Sequence, residues 1–299
     1  MALIEKFLDY LSLEKNYSAH TITAYQNDLL KFQRFCEAQF QENELKNVNY
    51  SMIRSWIIDL SELSISNNSI NRKISSLNGF YKFLLKVKEI EVSPLIKHKA
   101  LKVSKKIQVP FSETEIHQVL EGITVDSFAS SRDRLFVELL YVTGMRRAEL
   151  ISLTIDHLNL ENGTIKFVGK RNKERVVPII KSLEVSIQVY LKYRKRLLEN
   201  LGIQTSLLFL TEKGNEVYPN LLYRKVNEVF SKVSTKSKKS PHVLRHSFAT
   251  YLLAQGANLQ EVKELLGHDS LASTQVYLHN DINSLKKIYA KSHPRNKKK

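Results

Sequence analysis

A single cysteine, Cys36, stands in 299 residues, so no disulfide can form within the chain, and such usage fits a reducing compartment. Glycine and proline are also scarce, nine and six, which favours helices. No apolar run approaches the length that spans a membrane. The start, MALIEKFLDYL, carries acids and lacks the basic-then-apolar order of a signal peptide. The expected setting is therefore the cytoplasm, with no membrane partner. Acids are outnumbered as well: 30 Asp and Glu against 46 Lys and Arg leave +16, and a pI near 9.7 points to a polyanion as partner. Charge alone leaves DNA, RNA and an anionic membrane open. What is present in quantity is hydrophobic residue, 42%, enough for two ordinary domains with real cores.

Residues 1–96 read as a four-helix bundle. Phe7, Leu8 and Leu11 begin one stripe, and Ile22, Tyr25, Leu29, Phe32 and Phe35 continue a second. Trp56, Ile57 and Leu60 start a third, and Ile70, Ile74, Leu77, Phe80, Tyr81 and Leu84 a fourth. Ser18, Thr21, Asn71, Arg72, Lys73, Ser76 and Lys82 supply polar or basic groups suited to touching phosphates. Residues 97–110 hold Lys97, Lys99, Lys102, Lys105 and Lys106 without an acid, and read as an interdomain linker able to cross a nucleic-acid backbone.

The second domain opens at residue 111, where Ser112 with Glu115 makes a capping box. Arg132 to Leu140 is helical and apolar on one side, and the turn Thr143-Gly144-Met145 delivers Arg146, Arg147 and Glu149. A glycine before two arginines suggests a backbone brought close to a ligand, with Glu149 able to orient a guanidinium. Residues 164–168 and 175–179 read as strands joined by a basic turn whose Lys170, Arg171 and Lys173 could reach a DNA groove. One of those lysines could also serve as an acid. Leu183 to Leu201 is a long helix, Leu207 to Leu210 a short buried segment, and Leu221 to Val233 a further helix before the basic loop 234–239.

The stretch SPHVLRHSFATYLLAQGANLQEVKELLGHDSLASTQVYLH, from Ser240 to His279, gathers the reactive side chains. Ser240 and Pro241 read as N-cap and first helical position, which places His242 and Arg245 on one side of the first turn above a buried stripe of Leu244, Phe248 and Leu252. Gly256 stops that helix, Asn258 with Glu261 caps another, Gly267 ends it before His268, and Ser270 caps a third that carries Tyr277. A guanidinium and imidazoles at a helix start are suited to hold a phosphate, and a phenolate can attack phosphorus where donors stabilise the charge that builds on its oxygens. His242 and His246 have the spacing of a helical metal site, but the glutamate of HExxH is missing and no third ligand is evident, so no metal is expected. The rival is a helix-turn-helix regulator, because FATYLLAQGANLQEVKELLG has two short helices around a glycine turn.

The ordered series Thr143 to Leu150, Val168-Gly169-Lys170 with Asn172 to Pro178, His242-Val243-Leu244-Arg245-His246, Leu265-Leu266-Gly267-His268 and Thr274-Gln275-Val276-Tyr277 resembles the tyrosine recombinases, or integrases, over nearly the whole chain. Tyr17-Ser18 with Thr21 and Tyr25, and Asn71-Arg72-Lys73 through Leu84, are similar to that family's SAM-like core-binding domain. The ending His293-Pro294-Arg295, with no further domain expected, is most similar to the Xer-type chromosome-resolving enzymes. Arg171 and Ala148 stand where relatives often carry glycine and serine, and Leu278 where a small hydroxyl residue is common.

The resemblance implies a mainly α fold with a small antiparallel β-sheet in the catalytic domain: a two-domain, C-shaped DNA clamp. Its parts would be a core-binding domain over 1–96, a linker over 97–110 and a catalytic domain over 111–299. Tyr277 would be the nucleophile of a 3′-phosphotyrosyl intermediate, with Arg146, Arg245 and His268 on the non-bridging oxygens. Lys170 would protonate the leaving 5′-oxygen, His242 assist proton transfer, and Glu149 support the site from behind. No cofactor is implied. Lys73, Arg72, Lys102, Lys105, Lys106, Arg171 and Lys173 are the expected DNA contacts. The implied partners are a duplex recombination site, a homo- or hetero-tetramer on two sites with a second Xer-type recombinase, and a septal DNA translocase. Ile282, Leu285, Ile288 and Tyr289 make an apolar helix face, expected to dock on a neighbouring subunit. A mobile-element integrase or excisionase and a type IB topoisomerase share the chemistry and stand as alternatives.

Overall fold

The structure is a computed structural model and describes residues 2–103, 108–168, 174–260 and 262. The chain divides into two compact units, Met1–Lys106 and Ile107–Lys299, each around its own hydrophobic core.

Among its described residues the first unit has four α-helices. α1 (Ala2–Asp9) runs on through a π-helical turn at Tyr10–Glu14, and α2 (Ala19–Phe40), α3 (Tyr50–Glu62) and α4 (Asn67–Lys86) follow. Ser18, Asn49 and Ser66 cap the last three by accepting the backbone N–H of Thr21, Met52 and Ser69. The expected stripes face inward: Leu29, Phe32, Trp56, Ile70, Phe80 and Leu84 are all buried.

Among these apolar side chains sits one acid. Asp28 accepts two bonds from Arg72 (2.7 and 2.9 Å), one from Lys73 Nζ (3.0 Å) and one from Ser76 Oγ (2.8 Å). The structure thereby corrects the expectation of a phosphate-facing Lys73: its side chain is only 11% exposed. A buried ammonium needs a counter-charge, and Asp28 across from α4 is that charge. Arg72 is bound to the same carboxylate but keeps about half its side chain in solvent.

The expected linker begins strapped to α4. Asn71 Nδ2 donates to Leu101 O and Leu101 N donates back to Asn71 Oδ1, both at 2.9 Å, while Asn67 Nδ2 donates to Lys102 O at 2.8 Å. The Lys102 side chain is exposed; Lys105 and Lys106 lie outside the described residues.

The second unit opens with α5 (Glu113–Glu121), whose start carries the expected Ser112–Glu115 capping box. α6 (Phe128–Thr143) and the short α7 (Arg147–Ile151) lead to an antiparallel sheet of β1 (Leu158–Asn159), β2 (Thr164–Val168) and β3 (Glu174–Pro178), in that order. β1 was not anticipated. Phe167 pairs with Arg175 and Ile165 with Val177, so these four residues share one face, where Ile165, Phe167 and Val177 are buried. α8 (Lys181–Leu201), α9 (Pro219–Ser231) and α10 (Pro241–Ala254) follow.

α6 is not one-sided as its sequence suggests. α8, α9 and α10 all pack on it, and it is buried nearly all round. Its charged residues are therefore paired internally. Arg132 donates to Asp133 Oδ1 (2.9 Å) and Leu210 O (3.3 Å), with Lys225 3.5 Å from Asp133, and Ser186 donates to Glu138. Burial pushes the Asp28 carboxyl up, but the bonds from Arg72, Lys73 and Ser76 outweigh it and hold the group below its ordinary 3.8.

Replacing Asp28 by alanine leaves Lys73 buried without its partner, and should cost the first unit about 3–5 kcal/mol in denaturant unfolding. Because the folded carboxyl titrates below the unfolded one, the stabilisation is present above pH 3.8 and is lost as pH falls through the folded value. The gap between wild type and Asp28→Ala should therefore narrow below that pH.

Candidate active site

The turn that ends α6 sets up the site. Thr143 Oγ1 donates to Leu139 O (2.7 Å) and accepts the Met145 N–H (3.2 Å). Gly144 closes the helix in left-handed backbone, φ 59° and ψ 19°, which a side chain would strain. Met145 plugs the core. Arg146 then starts α7: its N–H donates to Glu149 Oε2 and its Nη1 to Glu149 Oε1, both at 2.7 Å.

α10 brings the second set. Ser240 holds the N-cap position with extended backbone, but its hydroxyl makes no cap bond, contrary to expectation. The reason is local: the Val243 N–H donates to the Ser240 carbonyl at 2.9 Å, and Pro241 has no N–H to offer. Burial of Leu244, Phe248 and Leu252 fixes the rotation of the helix. Arg245 Nη1 then reaches Gly144 O across 101 positions of chain.

β3 adds a third guanidinium that the sequence reading did not include. Arg175 Nη2 donates to Glu149 Oε1 at 2.5 Å, and its guanidinium lies 5.1 Å from the Phe167 ring centre. The signal was available, because strand alternation puts Arg175 on the face of Val177, and a cation facing a core needs an acid.

The cations crowd one another. Burial and then the charge of Arg146 pull the Arg245 pKa down to about 10, with Glu149 opposing. Arg175 is lowered by burial, with Glu149 opposing and Arg146 adding to the shift. The His242 imidazole reaches solvent, yet its pKa lies below 6.5. Partial loss of water is the largest cause, followed by the charges of Arg147, Arg245 and Arg146. Such a cluster is suited to an anion, since a bound phosphate would relieve the repulsion among its cations.

Arg146, Glu149, His242 and Arg245, scattered in sequence, are thus brought together. Lys170, Arg171, Lys173, His268, Tyr277 and the capping partner Glu261 lie outside the described residues. The helix-turn-helix rival makes α10 half of an independent reader. Instead α10 is built into the unit's core and carries Arg245 into the arginine cluster. Among the described residues, no helix is long and apolar enough to cross a membrane.

The phage integrase family matches residues 111–284, and the phage integrase N-terminal SAM-like domain matches residues 4–88. The chain belongs to the phage integrase family. As a phage integrase family member it is a site-specific tyrosine recombinase, an enzyme of DNA recombination. It is 37% identical over 294 residues to tyrosine recombinase XerC of Listeria monocytogenes, covering 98% of each chain. To XerC of Anoxybacillus flavithermus it is 36% identical over 290 residues, 97% of this chain and 96% of the relative. Among solved structures, XerH site-specific recombinase bound to palindromic difH substrate in a post-cleavage complex is similar with a TM-score of 0.71. That likeness has 25% identity and covers 94% of this chain and 79% of the other.

In the DNA-free chain the His242 imidazole should titrate below 6.5 in a side-chain NMR titration, and Arg147→Ala should move the midpoint upward. A midpoint at or above 6.5 that ignores the substitution would contradict this electrostatic account.

Proposed function

We propose that this chain is a strand-exchange recombinase of the Xer type that resolves chromosome dimers during segregation, cutting and rejoining duplex DNA through Tyr277. The observation that carries the reading is the meeting of Arg146 and Arg245 at the α6 turn, with His242 beside them. In the proposed step the Tyr277 oxygen bonds to phosphorus as the P–O5′ bond breaks. His242, whose neutral form is favoured by partial burial and then by its cationic neighbours, takes the phenolic proton, and Lys170 gives a proton to the departing 5′-oxygen. Arg146, Arg245 and His268 hold the non-bridging oxygens; a donor of that kind is typically worth about 3 kcal/mol of transition-state stabilisation. The phosphotyrosyl bond conserves the phosphodiester energy, so a 5′-hydroxyl can rejoin the strand without a nucleotide cofactor.

The net charge of +16 supports a duplex substrate bound by both units. Two duplexes and four protomers form the proposed assembly, in which the apolar face of Ile282, Leu285, Ile288 and Tyr289 docks on a neighbour. A second Xer-type recombinase and a septal DNA translocase are the proposed further partners.

The direct test uses a nicked duplex carrying the site that the full chain selects from a random-sequence duplex pool. Wild type should form a detergent-resistant adduct, Tyr277→Phe none, and Arg245→Ala should slow adduct formation by roughly 100- to 1000-fold. An adduct formed by Tyr277→Phe would end the proposal. Loss of the protein should leave circular chromosome dimers unresolved; loss confined to the movement of an element's ends would favour the integrase reading. Deleting the residues after Asp281 should abolish ordered synapsis of two sites while single-site binding persists, and undiminished recombination by the truncated chain would remove the docking role.

A further inference from the structure

Glu149 is shared. Its Oε1 accepts from Arg146 Nη1 at 2.7 Å and from Arg175 Nη2 at 2.5 Å, and its Oε2 accepts the Arg146 N–H at 2.7 Å. A carboxylate given wholly to one guanidinium closes a two-bond fork on it and cancels its charge. Divided between two, it fixes both and cancels neither. Arg175 is itself held fast: its side chain is 13% exposed and its guanidinium lies 5.1 Å from the Phe167 ring centre. It is anchored in β3 opposite Phe167 and cannot leave Glu149 without losing both contacts.

We propose that Arg175 is a positioning residue for strand cleavage, which by sharing Glu149 keeps the Arg146 guanidinium aimed and charged toward the scissile phosphate. This rests on the reading of Arg146 as a phosphate-holding group. Without Arg175, Glu149 turns fully to Arg146, and the cluster loses one positive charge. Arg175 then matters through the negative charge of the phosphate, which separates the proposal from a brace that merely keeps β3 in place.

The experiment measures single-turnover adduct formation by the full chain on the selected nicked duplex, made with an ordinary scissile phosphodiester or with a methylphosphonate there. The methylphosphonate replaces one charged non-bridging oxygen by a neutral methyl group. Arg175→Met should cleave the phosphodiester about 100-fold more slowly, with unchanged site affinity and melting temperature, and most of that defect should disappear on the methylphosphonate. Arg175→Lys keeps the cation but not the fork, and should fall between wild type and Arg175→Met. Measuring it too keeps the comparison of substrates available if the methionine variant folds poorly. Equal defects on both substrates, or full activity of Arg175→Met, would overturn the proposal. Adduct formation by wild type, absent in Tyr277→Phe, decides the underlying function separately.

Discussion

One buried carboxylate allows three guanidiniums to be folded together. Arg146 and Arg175 both donate to Glu149, and the charge of Arg245 is felt there too. Two unit charges about 4 Å apart interact by roughly 4 kcal/mol at an effective dielectric of 20. That is a sizeable fraction of the 5–15 kcal/mol by which a typical domain is stable. Glu149 offsets enough of that repulsion for the cluster to persist, and leaves enough for an anion to be attracted. Burial lowers the values of Arg245, Arg175 and His242 most, and the neighbouring cations add to the shift.

Rigidity around the cluster comes from the core beneath it. α6 is buried nearly all round, so the Gly144 carbonyl at its end is fixed in space, and Arg245 is tied to that carbonyl from α10. Met145, beside Arg146 in the chain, is buried in that core. The first unit repeats the device with a different outcome. Asp28 takes bonds from Arg72, Lys73 and Ser76 in one knot between α2 and α4, and the knot draws Lys73 inside. Both carboxylates hold two cations: Asp28 joins α2 to α4, and Glu149 joins the start of α7 to β3 beside Arg245.

The local features were legible in the sequence because they depend on neighbours in the chain. The four stripes of the first unit, the Ser112–Glu115 box, Pro241 at a helix start and glycine at the end of α6 are all set within one or two turns. The missing Ser240 cap bond is a local exception, where the Val243 N–H donates to the Ser240 carbonyl instead. The other features missed depend on partners far away. Lys73 looked like an exposed cation because nothing near it in sequence announces Asp28, 45 positions back. Arg175 looked like an ordinary strand residue for the same reason, since Glu149 lies 26 positions away on another element. The recombinase motifs were readable nonetheless, because their residue types are chemically demanding even where their contacts are invisible.

The charge count bears on the chemistry proposed. Among the described residues, three guanidiniums gather around one carboxylate. A phosphodiester carries one negative charge. When a phenolate adds to it, the five-coordinate phosphorus group carries about two, spread over the oxygens that the arginines would hold. Donors that meet the charge added on the way to that state favour it over the substrate, and that difference is what raises the rate. Glu149 therefore has to hold the arginines together while leaving them turned to the phosphate. Sharing it between Arg146 and Arg175 meets both demands with one side chain.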